Sequence, residues 1–124
     1  MTLSADDVQI WLDAYVAAWR SGDPGDIRAL FCDDAEYCYQ PWGEPVVGAD
    51  AIVNDWLKDR DESEVWQAHY QPELVDGTRA VAIGETVYPD EGRTYANLFL
   101  LEFNEDKRCC SFTEWFMKHP KPRD

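Results

Sequence analysis

Apolar residues in the first twenty positions recur every three or four places. Val8, Trp11, Leu12, Tyr15, Val16 and Trp19 fall on one side of a helix. Ser4 precedes the stripe as an N-cap, and Asp6 and Asp7 occupy the first turn, where the helix dipole favours acids. Gly22 is a good terminator and Pro24 cannot continue the helix, so an end near Ser21–Gly22 is expected. Asp23 then caps a short second helix with Pro24 at its first position. Ile27, Leu30 and Phe31 mark the buried side of that helix, which is expected to run out at Asp33–Asp34. Glu36 to Trp42 reads as extended and aromatic, with loop chemistry in Gln40–Pro41–Trp42–Gly43. A third helix follows Gly48, from Ala49 to about Asp59, with Ile52, Val53, Trp56 and Leu57 inward.

The remainder alternates at the two-residue period of strands. Val65 to Val75 is closed by the hairpin dipeptide Asp76–Gly77, and Arg79 to Tyr88 follows. Pro89–Asp90–Glu91–Gly92 turns into a strand from Thr94 to Phe103, and Asn104 to Lys107 turns into a last strand from Cys109 to Lys118. Asp59 to Glu64 reads as a charged surface turn and His119 to Asp124 as a loose tail. Helices first and an antiparallel meander afterwards make an α+β domain, expected to be a single one over residues 1–124.

Composition narrows the function. Six Trp and 14% aromatic residues imply a dense core or a pocket lined with rings. The net charge of −14, from 25 acids against 11 bases, repels phosphate backbones and anionic lipid, so neither nucleic acid nor membrane is an expected partner. The start MTLSADDVQIW carries no basic and apolar leader, and no stretch approaches the ~20 apolar residues of a span. A soluble, cytoplasmic protein is expected. Cys32, Cys38, Cys109 and Cys110 are then reduced thiols, and with His69 and His119 they offer no set at metal-ligand spacing. No glycine-rich phosphate loop occurs, so neither metal nor cofactor is expected.

The order AYVAAWRSGD, DIRALFCDDAEY, G-x-x-A-I, then Y-x-N-x-F-x-L-x-F-N and F-T-E-W-F resembles the nuclear transport factor 2-like superfamily. Within it the chain is most similar to the SnoaL-like polyketide-cyclase and ketosteroid-isomerase branch. The resemblance covers nearly the whole chain. It implies a cone-shaped, cystatin-like fold: three N-terminal helices packed on a curved, mainly antiparallel sheet, with an apolar cavity between them. It also implies where a ketosteroid isomerase would keep its three working groups. The Tyr falls on Tyr15, but the base falls on Tyr39 and the protonated Asp on Phe99. With two of three groups replaced, a typical ketosteroid isomerase is not expected.

If Phe99 faces the cavity, alternation brings Tyr95, Asn97, Leu101 and Phe103 to the same side, and the resemblance implies that Phe112, Glu114 and Phe116 on the last strand turn inward. Glu114 is then a carboxyl group among rings, where burial raises the pKa towards that of a usable general acid or base. Tyr15 and Asn97 would hold an oxygen that gains charge. Trp19, Tyr39, Trp56, Phe99, Phe112 and Phe116 would form the apolar wall. The alternatives are plain: Glu114 paired with a base or turned outward by a bulge, and Tyr15 as core with a satisfied hydroxyl. His69 is read as a surface or rim residue, able to shuttle protons only from the rim. Glu85 interrupts the apolar series Val81, Ile83, Val87, either as a second buried acid or at a subunit interface. Two functions follow. One is a cofactor-free isomerase, cyclase or lyase acting on an apolar small molecule that bears a carbonyl or hydroxyl. The other is a non-catalytic ligand-binding or association module, with a homodimer through the outer face of the sheet expected by analogy.

Overall fold

The first helix forms where the apolar stripe places it. In the computed structural model, which describes residues 2–58 and 66–120, α1 spans Ala5–Ser21. Ser4 Oγ accepts from the Asp7 backbone N–H at 3.1 Å, and the Asp7 carboxylate accepts from the Ser4 N–H at 3.0 Å. This reciprocal cap satisfies donors that a helix start leaves unpaired. Gly22 closes the helix at φ 66°, a left-handed conformation that favours glycine. Val8, Trp11, Leu12, Tyr15 and Ala18 are buried, and the Trp11 indole donates to the Leu30 carbonyl at 2.9 Å.

The second helix is shorter than its sequence implies. α2 spans Pro24–Arg28 under the Asp23 cap, and Phe31 already begins β1, Phe31–Cys38. Tertiary pairing overrides the local signal here. The Cys109 N–H donates to the Leu30 carbonyl at 2.8 Å and Phe31 lies opposite Cys109, so the last strand draws this segment into the sheet as a parallel neighbour. Asp33 and Asp34 do not end a helix. They are successive exposed residues inside β1, where its register against the last strand is irregular.

A two-residue strand β2, Val46–Val47, lines β1 in antiparallel fashion, and α3 runs Ala49–Lys58. Then come β3 (Gln67–Asp76), β4 (Arg79–Tyr88), a 3-10 turn at Pro89–Glu91, β5 (Arg93–Phe103) and β6 (Cys109–Lys118). The sheet order is β2-β1-β6-β5-β4-β3, antiparallel except for β1 against β6. Three helices on a mainly antiparallel sheet are the expected α+β arrangement, although β1 and β2 precede α3. The Asp59–Glu64 turn, Val65 and residues 121–124 lie outside the described residues. Among the described residues no helix is long and apolar enough to cross a membrane.

Aromatic rings fill the space between α1 and the sheet. Phe112 stacks on Tyr37 at 4.3 Å between centroids and on Tyr15 at 5.6 Å, and Phe99 lies 4.8 Å from Phe112. Strand β4 makes room for them. Its core-facing residues are the small Ala80, Ala82, Gly84 and Thr86, while Val81, Ile83, Glu85 and Val87 face outward. Glu85 is exposed on that outer face, so it is not a second buried acid.

Candidate active site

A cavity of about 140 Å³ lies between the helices and the concave side of the sheet, lined chiefly by Tyr15, Trp19, Tyr37, Tyr39, Trp56 and Glu114. A second chamber of about 170 Å³ adjoins it and shares Trp19 and Glu114, adding Thr86, Tyr88, Arg93, Tyr95, Asn97 and Phe116. Glu114 therefore stands where an aromatic inner chamber meets a more polar mouth.

Its position follows from strand parity. Glu114 lies opposite Phe99 and shares a face with buried Phe112. One carboxylate oxygen, Oε2, accepts from Asn97 Nδ2 at 2.7 Å. Among the described residues no side-chain polar atom is both sealed from solvent and unpartnered. Oε1, which makes no hydrogen bond to them, is therefore open to the cavity. Burial pushes the Glu114 pKa up from 4.5 to about 7, and the Asn97 hydrogen bond moderates the rise by favouring the carboxylate.

Across the chamber the Tyr15 and Tyr37 hydroxyls are 3.2 Å apart, both buried. Burial holds both pKa values well above 10, with the neighbouring Tyr and Glu114 charges adding to it, so both stay neutral donors. Two hydroxyls joined by one hydrogen bond use one hydrogen. The second remains for an acceptor in the cavity.

The sequence-derived site residues fall into three groups. Tyr15, Trp19, Tyr39, Trp56 and Glu114 come together around the inner chamber. The Tyr39 hydroxyl, at the position where an isomerase would keep its base, donates a short hydrogen bond to Asp55 on α3. Phe99 and Phe112 are buried behind Tyr15 as its packing support, and Phe116 sits at the mouth, edge-on to Tyr95. Two assignments change. Asn97 is largely committed within the protein: Oδ1 accepts from Thr86 Oγ1 at 2.9 Å and Nδ2 donates one hydrogen to Glu114, which leaves a single N–H for a substrate carbonyl. His69 lies opposite Glu85 on the outer face, in a shallow groove with Leu98 and Trp115, and is not at the cavity rim. Tyr37, Tyr70 and Thr86 were missed. Counting back two residues from Tyr39 reaches Tyr37, inside the segment read as extended, so strand alternation was the signal that could have found it.

All four cysteines are free thiols; Cys109, fully buried, has its pKa raised by desolvation. Among the described residues no group of three His, Cys, Asp or Glu could hold a metal ion.

A family model described as "SnoaL-like domain" matches residues 12–112 of the sequence. Solved structures share the fold at low identity. A protein of unknown function with cystatin-like fold from Methylobium petroleophilum PM1 superposes with a TM-score of 0.72 at 15% identity, over 98% of this chain and 82% of that one. An NTF-2 like protein of unknown function from Burkholderia xenovorans LB400 gives 0.70 at 18% identity, over 96% and 87%. An LEH-like epoxide hydrolase of M. tuberculosis gives 0.66 at 11% identity, over 91% and 84%. Likeness at these identities concerns the fold.

Proposed function

This chain belongs to the SnoaL-like domain family, of nuclear transport factor 2-like fold, and from that premise we propose that its cavity carries proton-transfer chemistry on a small apolar molecule bearing an oxygen. The observation that carries the reading is Glu114: a half-buried carboxyl group lining an aromatic chamber, with one oxygen held by Asn97. A pKa near 7 lets one group serve as acid or base at neutral pH.

The chemistry is concrete. A substrate carbonyl, hydroxyl or epoxide oxygen accepts the spare hydrogen of the Tyr15–Tyr37 pair. Ionised Glu114 removes a proton from the carbon beside a carbonyl, and the electron pair moves into an enol whose oxygen the hydroxyls stabilise. Protonated Glu114 then returns the proton to a different carbon, which completes an isomerisation with no other reactant. The same two groups suit dehydration, with Glu114 giving its proton to a departing hydroxyl.

Size limits the substrate. A dry apolar cavity of about 150 Å³ takes a benzene-sized ring. The inner chamber is about 140 Å³, so it suits a single ring or short branched chain, with larger parts lying in the mouth. A tetracyclic ketone would not fit inside. The test is turnover over a panel of small cyclic ketones, enones, β-hydroxy carbonyls and epoxides. Turnover lost in Glu114→Gln, with ligand binding retained, is expected; full activity in that variant would sink the assignment.

A second reading concerns assembly. In a chain of net charge −14, the outer face around Ile83, Leu98, Leu100, Trp115 and Met117 is apolar, and Met117 is 73% exposed. His69 and Glu85 are the titratable groups lining that groove. A second copy of this chain is the proposed occupant, because an apolar face of one composition pairs with itself across a two-fold axis. This homodimer is compatible with catalysis. If no small molecule binds the cavity, association alone becomes the function.

A further inference from the structure

We infer that Thr86 and Tyr70 are positioning residues for Glu114: a chain of hydrogen bonds along the inner face of the sheet locks the Asn97 amide with its N–H side towards the carboxyl group, so that a proton taken up by Glu114 resides on Oε1, the cavity side. The inference rests on the reading of Glu114 as the acid–base group and adds the device that orients it.

Counting hydrogens fixes the direction of the chain. Thr86 Oγ1 lies 2.9 Å from Asn97 Oδ1, and an amide oxygen only accepts, so the single Thr86 hydrogen points to Asn97. Tyr70 Oη lies 2.7 Å from Thr86 Oγ1 and is therefore the donor in that bond. Asn97 Nδ2 then donates to Glu114 Oε2 at 2.7 Å. Rotating the amide by half a turn would set Oδ1 against the carboxylate and Nδ2 against Thr86. Thr86 Oγ1 would then accept from Nδ2, and of the two hydroxyl hydrogens on Thr86 and Tyr70 one would be left without an acceptor. Tyr70 is 4% exposed, and its hydroxyl bonds no other described residue. A buried hydroxyl hydrogen without an acceptor is costly, so the Thr86–Tyr70 pair holds the amide in its orientation.

Gly84 makes the start of the chain possible. It lies opposite both Tyr70 and Asn97 in register. A Cβ there would come within 2.1 Å of the His69 carbonyl and 2.5 Å of Tyr70 Cδ1. With no side chain at Gly84, the Tyr70 ring lies across β4 and reaches Thr86 two residues on.

The other groups around Glu114 do not duplicate this role. Tyr15 on α1 and Tyr37 on β1 are neutral hydroxyls engaged with each other. Tyr39 is bonded to Asp55 of α3. At the mouth, Arg93 on β5 is paired with Glu91 and Tyr95 and lies over the Tyr88 ring.

The test is the titration of Glu114 in the full chain, read from its side-chain carboxyl carbon by NMR. In Thr86→Val the amide is free to turn its oxygen towards Glu114, and the midpoint is expected to rise by about one pH unit. Thr86→Ser keeps the hydroxyl and is expected to titrate as wild type. Tyr70→Phe touches nothing on Glu114 directly and is expected to move the midpoint in the same direction by less. An unchanged midpoint in Thr86→Val, or an equal displacement in Thr86→Ser, would overturn the inference while leaving a wild-type midpoint near 7 and the acid–base reading intact. A wild-type midpoint near 4.5 would overturn that reading itself, and this inference with it.

Discussion

A glutamate two residues beyond a buried phenylalanine owes its chemistry to what surrounds each of its oxygens. One oxygen of Glu114 is held by an amide and the other is not, and aromatic rings line one side of the site. The same logic of counting donors applies to the Tyr15–Tyr37 pair. Removing one hydroxyl leaves the other buried with no partner. Tyr15→Phe and Tyr37→Phe are each expected to lose about 1 kcal/mol or more in denaturant melts, and the double variant is expected to lose less than the sum. Strict additivity would mean that the 3.2 Å contact carries no coupling. In turnover assays either single variant is expected to slow the reaction, because the surviving hydroxyl no longer has a fixed direction. At this scale the sequence was informative where alternation operates. Parity from Phe99 placed Asn97 on the inner face, and the family resemblance placed Phe112 and Glu114 there. It did not reveal that Asn97 spends its amide on Thr86 and Glu114, because hydrogen-bond partners across strands depend on register, which a single sequence does not carry.

Among the elements, β4 shows how a strand can mislead. Its larger apolar residues, Val81, Ile83 and Val87, face outward, and its small ones face the core. The usual reading of large apolar residues as core fails here because the core side must leave room for Tyr70, Phe99 and the cavity. Gly84 is the tightest point of that arrangement. Gly84→Ala is expected to destabilise by at least about 2 kcal/mol and to break the Tyr70–Thr86 hydrogen bond, since backbone and ring both lie within 3 Å of the added carbon. A variant as stable as wild type would contradict the close approach. The first helix, by contrast, was legible to within a residue, because its cap, stripe and terminator are all local. The second was not. Its expected last residues belong to β1, and the cause is a partner strand from the far end of the chain.

For the whole molecule, charge and the outer face decide the behaviour. A chain carrying −14 has little reason to associate unless a patch of its surface is nearly neutral and apolar, and the outer side of β3 to β6 is such a patch. Leu98 sits at its centre, between Ile83 and Trp115 in register. Wild type is expected to sediment as a dimer and Leu98→Glu as a monomer, because a two-fold axis sets the two new charges near each other. A wild type that stays monomeric at high concentration would remove the homodimer. The family was legible from the order of several short motifs, none of them specific alone. Neither the substrate nor the size of the cavity was, because a volume of 140 Å³ is set by side chains from elements distant in sequence.

The central claim is that Glu114 is a half-buried, cavity-facing acid that stays protonated until about pH 7. The most direct test is the difference in unfolding free energy between wild type and Glu114→Gln, followed from about pH 4 to about pH 8. Below 4.5 the carboxyl group is protonated in both folded and unfolded chains and adds no pH dependence. Between 4.5 and 7 the unfolded chain has released the proton while the folded one still holds it, so wild-type stability falls as pH rises. Gln has no such transition. The account predicts that the variant gains on wild type by up to about 3 kcal/mol across this window, levelling off above it. A difference that stays constant with pH would mean that Glu114 titrates as an ordinary exposed carboxylate, and the acid–base site would have to be abandoned.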